Sequence, residues 1–140
     1  MGEGRTVTDR ETVKTLIERA YESRRMGDIE AIMAFFHPES TFTLAGSNQH
    51  SAAAGRAQGH GALRTTLAGL IETFEFIERD IISLVIDGEK AAVHCRVKLR
   101  FIPKDRTVTT DLLDLWTFRD GKVVELIEFI DTALVNELMR

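Results

Sequence analysis

DLLDLWTFRDGKVVELIEFID, residues 111–131, holds two apolar runs separated by Arg119, Asp120 and Gly121. Asp and Gly tolerate the backbone conformations of a tight turn, so the stretch predicts a β-hairpin with antiparallel strands. Side chains alternate between the two faces of a strand. Leu112, Asp114, Trp116 and Phe118 therefore share one face of the first strand, and Val124, Leu126, Glu128 and Ile130 share one face of the second. Each apolar face is interrupted by one acid. A three-residue loop of Arg119, Asp120 and Gly121 turns both acids to the same side, whereas a two-residue loop sends them to opposite sides.

Two more strands precede the hairpin. Phe76–Ile86 and Lys90–Ile102 are separated by Asp87-Gly88, and Pro103-Lys104-Asp105-Arg106 leads into the strand Thr107–Phe118. In Lys90–Ile102, Val93, Cys95, Val97, Leu99 and Phe101 share a face, while His94, Arg96, Lys98 and Arg100 share the other, so the first set points inward. The opposite face of the hairpin carries Leu113, Leu115, Ile127 and Phe129, which predicts that the outer face is covered as well, by a second copy packed sheet to sheet.

The first half reads as helical. Thr8 and Glu11 have capping-box spacing, and Val13, Leu16, Ile17, Ala20 and Tyr21 form one helical face. Gly27 stops that helix. Asp28 caps a second, with Ile29, Ile32, Met33 and Phe36 on one side, and Pro38 ends it. Thr41–Ala45 alternates as a short strand with Phe42 and Leu44 on one face. Residues 46–60 form a small-residue loop, Leu63, Leu67, Leu70, Ile71 and Phe74 mark a third helix, and Thr132 caps a short closing helix over 132–139. Helices placed before an antiparallel meander indicate an α+β fold. Three N-terminal helices then pack on a strongly curved, mainly antiparallel sheet, giving a cone around an apolar pocket. Residues 1–7 read as a disordered tail and 8–140 as one domain.

The chain has 140 residues, 44% of them hydrophobic and 29% charged, with a formal net charge of −4. This composition suits one globular domain. No basic block marks a nucleic-acid surface, and no apolar run approaches the ~18 residues of a membrane span. One cysteine, Cys95, allows no intrachain disulfide and fits a reducing compartment, so a cytoplasmic location is expected. The histidines and acids show no metal-ligand spacing, and GRAQGHG lacks the Lys-Ser/Thr ending of a phosphate loop, so neither metal nor cofactor is expected.

Several segments carry a resemblance. GDIEAIMAFFHPESTF, residues 27–42, resembles the second helix and first strand of the ketosteroid isomerase and polyketide cyclase (SnoaL-like) relatives of the nuclear transport factor 2-like superfamily, and residues 107–131 resemble their last hairpin. The run from Leu99 to Asp131 is also similar in spacing to limonene epoxide hydrolase. The resemblance implies the cone fold. It sets Asp114 where ketosteroid isomerases place a protonated aspartic acid, with their base falling at Leu44 and their tyrosine at Ala20, one position from Tyr21. It sets Glu128 where limonene epoxide hydrolase keeps a water-activating aspartate, with that enzyme's other polar groups falling at Phe42, Leu44, Cys95 and Val97.

A carboxyl among Leu112, Trp116, Phe118 and Leu126 is poorly solvated when charged, and a second carboxyl nearby compounds the effect. One acid then stays protonated as a hydrogen-bond donor while the other acts as a base. The expected catalytic pair is Glu128 as base and Asp114 as donor. The expected ligand is a small apolar organic molecule bound by Phe42, Leu44, Cys95, Val97, Leu99, Leu112, Trp116, Leu126 and Ile130. The alternatives are a carrier or sensor without turnover, and a dimeric interaction module.

Overall fold

A computed structural model describes residues 9–47 and 54–140. The expected tail 1–7, Thr8 and part of the 46–60 loop, His50 included, lie outside the described residues.

Helix α1, Arg10–Met26, buries Val13, Ile17, Ala20 and Tyr21 on one stripe. Its N-cap is Asp9 rather than Thr8: the Asp9 side chain accepts the Thr12 amide at 2.8 Å. Gly27 ends the helix at φ 69°, a left-handed conformation that side chains resist. Asp28 caps α2, Ile29–Ala34, by accepting the Ala31 amide. This helix is shorter than Pro38 suggests. Strand β1, Phe36–Leu44, has already begun at Phe36, because its pairing with β6 outweighs the apolar spacing that assigns Phe36 to the helix.

Within the expected loop, β2, Gly55–Gln58, pairs antiparallel with β1. Helix α3, His60–Thr73, follows and buries Leu63 and Leu67. The meander is β3, Phe74–Asp87, β4, Lys90–Phe101, a 3-10 turn at Ile102–Lys104, β5, Arg106–Arg119, and β6, Lys122–Phe129. Helix α4, Thr132–Met139, closes the chain. Its cap is Asp131, which accepts the Leu134 amide at 3.0 Å, and not Thr132.

The curved, unclosed sheet runs β2-β1-β6-β5-β4-β3. Every pairing is antiparallel except β1 with β6, which is parallel. Val93, Cys95, Val97, Leu99 and Phe101 of β4 are all buried, as are Leu112, Trp116 and Phe118 of β5. A second cluster of Phe74, Leu99, Phe101, Val135 and Leu138 fastens α4 to the sheet.

The hairpin at the centre differs from expectation in its turn. Arg119 pairs with Lys122, so the loop has two residues, Asp120 and Gly121, both at positive φ as a hairpin of this length requires. The register then slips between Thr117 and Phe118: Phe118 faces Val123, but Thr117 faces Glu125. The extra residue, Val124, is a β-bulge. It restores the parity that a two-residue loop takes away, and Asp114 stands directly opposite Glu128.

Candidate functional site

The inner face of the sheet is a grid of cross-strand neighbours. One row reads Phe42, Leu126, Trp116 and Ala91 across β1, β6, β5 and β4, and the next reads Leu44, Glu128, Asp114 and Val93. The acids occupy the middle of the second row. Asp114 is fully buried, whereas Glu128 is half-buried.

These rows form part of the wall of a cavity of about 530 Å³. Phe42, Leu44, Val97, Leu99, Leu112, Trp116, Leu126 and Ile130 all border it, together with Asp114 and Glu128. Cys95 does not. Its side chain is fully buried beside Ile81 and Leu112, and the Arg79 guanidinium donates weakly to its Sγ at 3.7 Å. Burial pushes the Cys95 thiol up, against the pull of Arg79.

Three residues that alternation alone did not single out complete the site. Tyr21 reaches it from α1: its hydroxyl donates to Asp114 Oδ2 at 2.6 Å and accepts from Trp116 Nε1 at 3.4 Å. The Tyr21 and Trp116 rings meet edge to face, with centroids 5.5 Å apart. Arg79 comes from β3, its guanidinium 3.8 Å from the Tyr21 ring centre and 4.4 Å from that of Phe76. Its Nη1 lies 3.9 Å from Asp114 Oδ2, too far for a hydrogen bond. Arg24 donates from Nη2 to the carbonyls of Leu70 and Phe74 at 3.2 and 2.7 Å, and lies over the Phe76 ring.

Sequence signals for Tyr21 and Arg79 are weak. Tyr21 follows Ala20 by one position on the same buried stripe. Arg79 is hidden by two irregularities in β3, between Phe76 and Glu78 and between Ile81 and Ser83. Strict alternation from Phe76 sends Arg79 outward, whereas the first irregularity turns it inward, opposite Val97.

The electrostatics follow from burial. Loss of solvation, then the neighbouring Glu128, hold the Asp114 carboxyl well above the ordinary aspartate range; Arg79 and the Tyr21 hydroxyl oppose this without cancelling it. Burial and Asp114 push the Tyr21 phenol up, so it stays a donor. Burial lowers Arg24 to about 10. Burial alone depresses Arg79, but Tyr21, Asp114 and Glu128 outweigh it and the net shift is upward. Asp114 Oδ1 is buried without a hydrogen-bond partner among the described residues. When protonated, Asp114 can accept from Tyr21 on Oδ2 and carry its proton on Oδ1, with the Glu128 carboxyl as its neighbour across the strands.

Among the described residues, no group of three or more His, Cys, Asp or Glu is placed to hold a metal ion, and no helix is long and apolar enough to cross a membrane. His94 pairs with Asp111 at 2.8 Å, and His60 lies 3.2 Å from the Met33 carbonyl. Neither borders the cavity.

Residues 17–126 match the family model of the SnoaL-like domain. No curated protein matches the sequence. Among solved structures, a nuclear transport factor 2-like protein of unknown function from Burkholderia pseudomallei is similar, with 18% identity over 91% of this chain and 96% of that one and a TM-score of 0.78. TerC co-crystallised with polyporic acid has 22% identity over 91% and 98%, also at 0.78. An LEH-like epoxide hydrolase of M. tuberculosis has 15% identity over 90% and 86%, at 0.71. At these identities the likeness is one of fold.

Proposed function

The chain belongs to the SnoaL-like domain family, and from that premise we propose that it binds one small, largely apolar organic molecule in its cavity and performs acid–base chemistry on it. The observation that carries this reading is the fully buried Asp114, with Oδ2 accepting from Tyr21, Oδ1 without a donor among the described residues, and Glu128 directly opposite. Its volume, about 530 Å³, falls in the ~300–1,000 Å³ range of small-molecule sites, which speaks against a module filled by its own side chains.

Glu128 is the base. It takes a proton from a carbon or from water beside the ligand, and negative charge gathers on a ligand oxygen. Asp114 Oδ1–H donates to that oxygen, in a site where a buried hydrogen bond is stronger than in water. Such steps serve isomerases, cyclases and hydratases. Support for the base assignment comes from the register: Glu128 is abreast of Leu44, one strand from where ketosteroid isomerases place their base.

The test is turnover of an identified substrate. Glu128→Gln is expected to lower kcat by ~10²–10⁴-fold, the usual worth of a general base. Asp114→Asn keeps a donor and is expected to retain part of the activity. A Glu128→Gln enzyme as active as wild type removes the base assignment. A second reading, a carrier without turnover, is favoured by the apolar Phe42, Leu44 and Val97, all bordering the cavity where enzymatic relatives keep polar groups. It predicts saturable binding that Glu128→Gln leaves unchanged.

A further inference from the structure

The cavity is apolar over most of its wall, yet its charges do not balance. Among the described residues, Arg24, Arg56 and Arg79 border it against two carboxyl groups, Asp114 and Glu128. With Asp114 protonated, as in the reading above, only Glu128 supplies negative charge. The three cations are not equivalent. Arg56 is exposed, on the short edge strand β2. Arg24 has a structural task, since its Nη2 closes two backbone carbonyls at the joint of α3 and β3. Arg79 has no such task.

The Arg79 side chain is only 11% exposed, yet among the described residues no carboxylate stands within hydrogen-bond distance of it. Among the described residues its nearest acid is the Asp114 carboxyl at 3.9 Å, and its one side-chain hydrogen bond is to the thiol sulfur of Cys95. The Tyr21 and Phe76 rings hold its guanidinium in place through their faces, which fixes its direction without neutralising it. A buried cation without an anion at contact distance is compensated only from a distance, here by Glu128 once Asp114 is protonated. A ligand anion supplies that contact, and the planar fork of a guanidinium suits a carboxylate in particular.

We infer that the ligand is a small apolar acid bearing one negative charge, and that Arg79 is its counter-ion. This rests on the proposed small-ligand reading of the cavity and narrows the class of molecule that enters. The apolar body lies against Trp116, Leu126 and Phe42, and the anionic end meets Arg79 on the β3 side of Asp114. A neutral molecule of the same shape leaves the guanidinium without an anion at contact distance.

The test is a calorimetric titration with two probes of matched shape, 2-naphthoate and 2-naphthamide, near neutral pH. Wild type is expected to bind the naphthoate at least about tenfold more tightly, a difference of about 1.4 kcal/mol. Arg79→Met is expected to bring the two affinities within about twofold, mainly by weakening the naphthoate, while Arg79→Lys keeps part of the preference. Naphthamide binding to wild type as tightly as naphthoate overturns the inference and leaves the cavity reading standing, because the ring system still binds. A preference that survives in folded Arg79→Met overturns the counter-ion assignment. If neither probe binds wild type, the small-ligand reading falls and the inference falls with it. The wild-type comparison decides between these outcomes even where a variant does not fold.

Discussion

Tyr21 shows how one hydroxyl sets the state of a buried acid. It is the one hydrogen-bond donor to Asp114 among the described residues, at 2.6 Å, and its ring also carries the Arg79 guanidinium. Tyr21→Phe keeps the ring and removes the donor, leaving Oδ2 of a fully buried carboxyl without its partner. The expected cost is ~1–3 kcal/mol in a denaturant unfolding experiment. The donor favours the ionised form of Asp114, so its removal drives the carboxyl further toward the protonated state. A Tyr21→Phe protein as stable as wild type contradicts the burial of this bond. Tyr21 was legible as a core residue from its helical spacing, but its partner, 93 positions away, was not.

Strand irregularities explain most of what the sequence leaves hidden at the level of elements. Alternation in β4 reads correctly because that strand pairs with β5 without a slip. It misses Arg79 in β3, where two slips intervene. In the hairpin two errors cancel: the loop is one residue shorter than expected, and Val124 adds that residue back as a bulge. Asp114 and Glu128 therefore face each other for a reason different from the one their spacing suggests. Caps carry a similar lesson, since Thr8 and Thr132 look eligible but the adjacent acids Asp9 and Asp131 take the role. Asp131→Ala is expected to cost ~1 kcal/mol. Because α4 is fastened through Val135 and Leu138, amide exchange in 132–139 is expected to speed up more than in β4. Equal protection in both proteins contradicts the capping role.

Across the whole molecule, helices and cavity account for one face of the sheet, and the other remains apolar. Val85, Ala92, Leu115 and Ile127 form a continuous row across β3, β4, β5 and β6, and Leu113 and Phe129 lie beside it. Val85, Leu115 and Phe129 are 60%, 36% and 44% exposed. His94, Arg96 and Asp111 border the row with both signs of charge. A surface that is apolar at its centre and mixed in sign at its edge can meet its own copy about a two-fold axis. We propose a homodimer through this face. Wild type is expected to sediment as a dimer at micromolar concentration and the Leu115→Lys, Phe129→Lys double variant as a folded monomer. A monomeric wild type excludes the arrangement.

The α+β class and the antiparallel meander were legible because the second half of the chain alternates cleanly between turn signals, and the apolar lining follows from the same parity. The parallel pairing of β1 with β6 and the arginines of the cavity were not, because each depends on contacts between segments far apart in the chain. The chemistry itself rests on the state of one carboxyl group. A carbon-13 NMR titration of the aspartate carboxyl carbons, in wild type and in Asp114→Asn, measures it directly. One resonance, missing from the variant, is expected to ionise only well above the usual aspartate value of about 3.9. The same resonance ionising at or below that value contradicts the account.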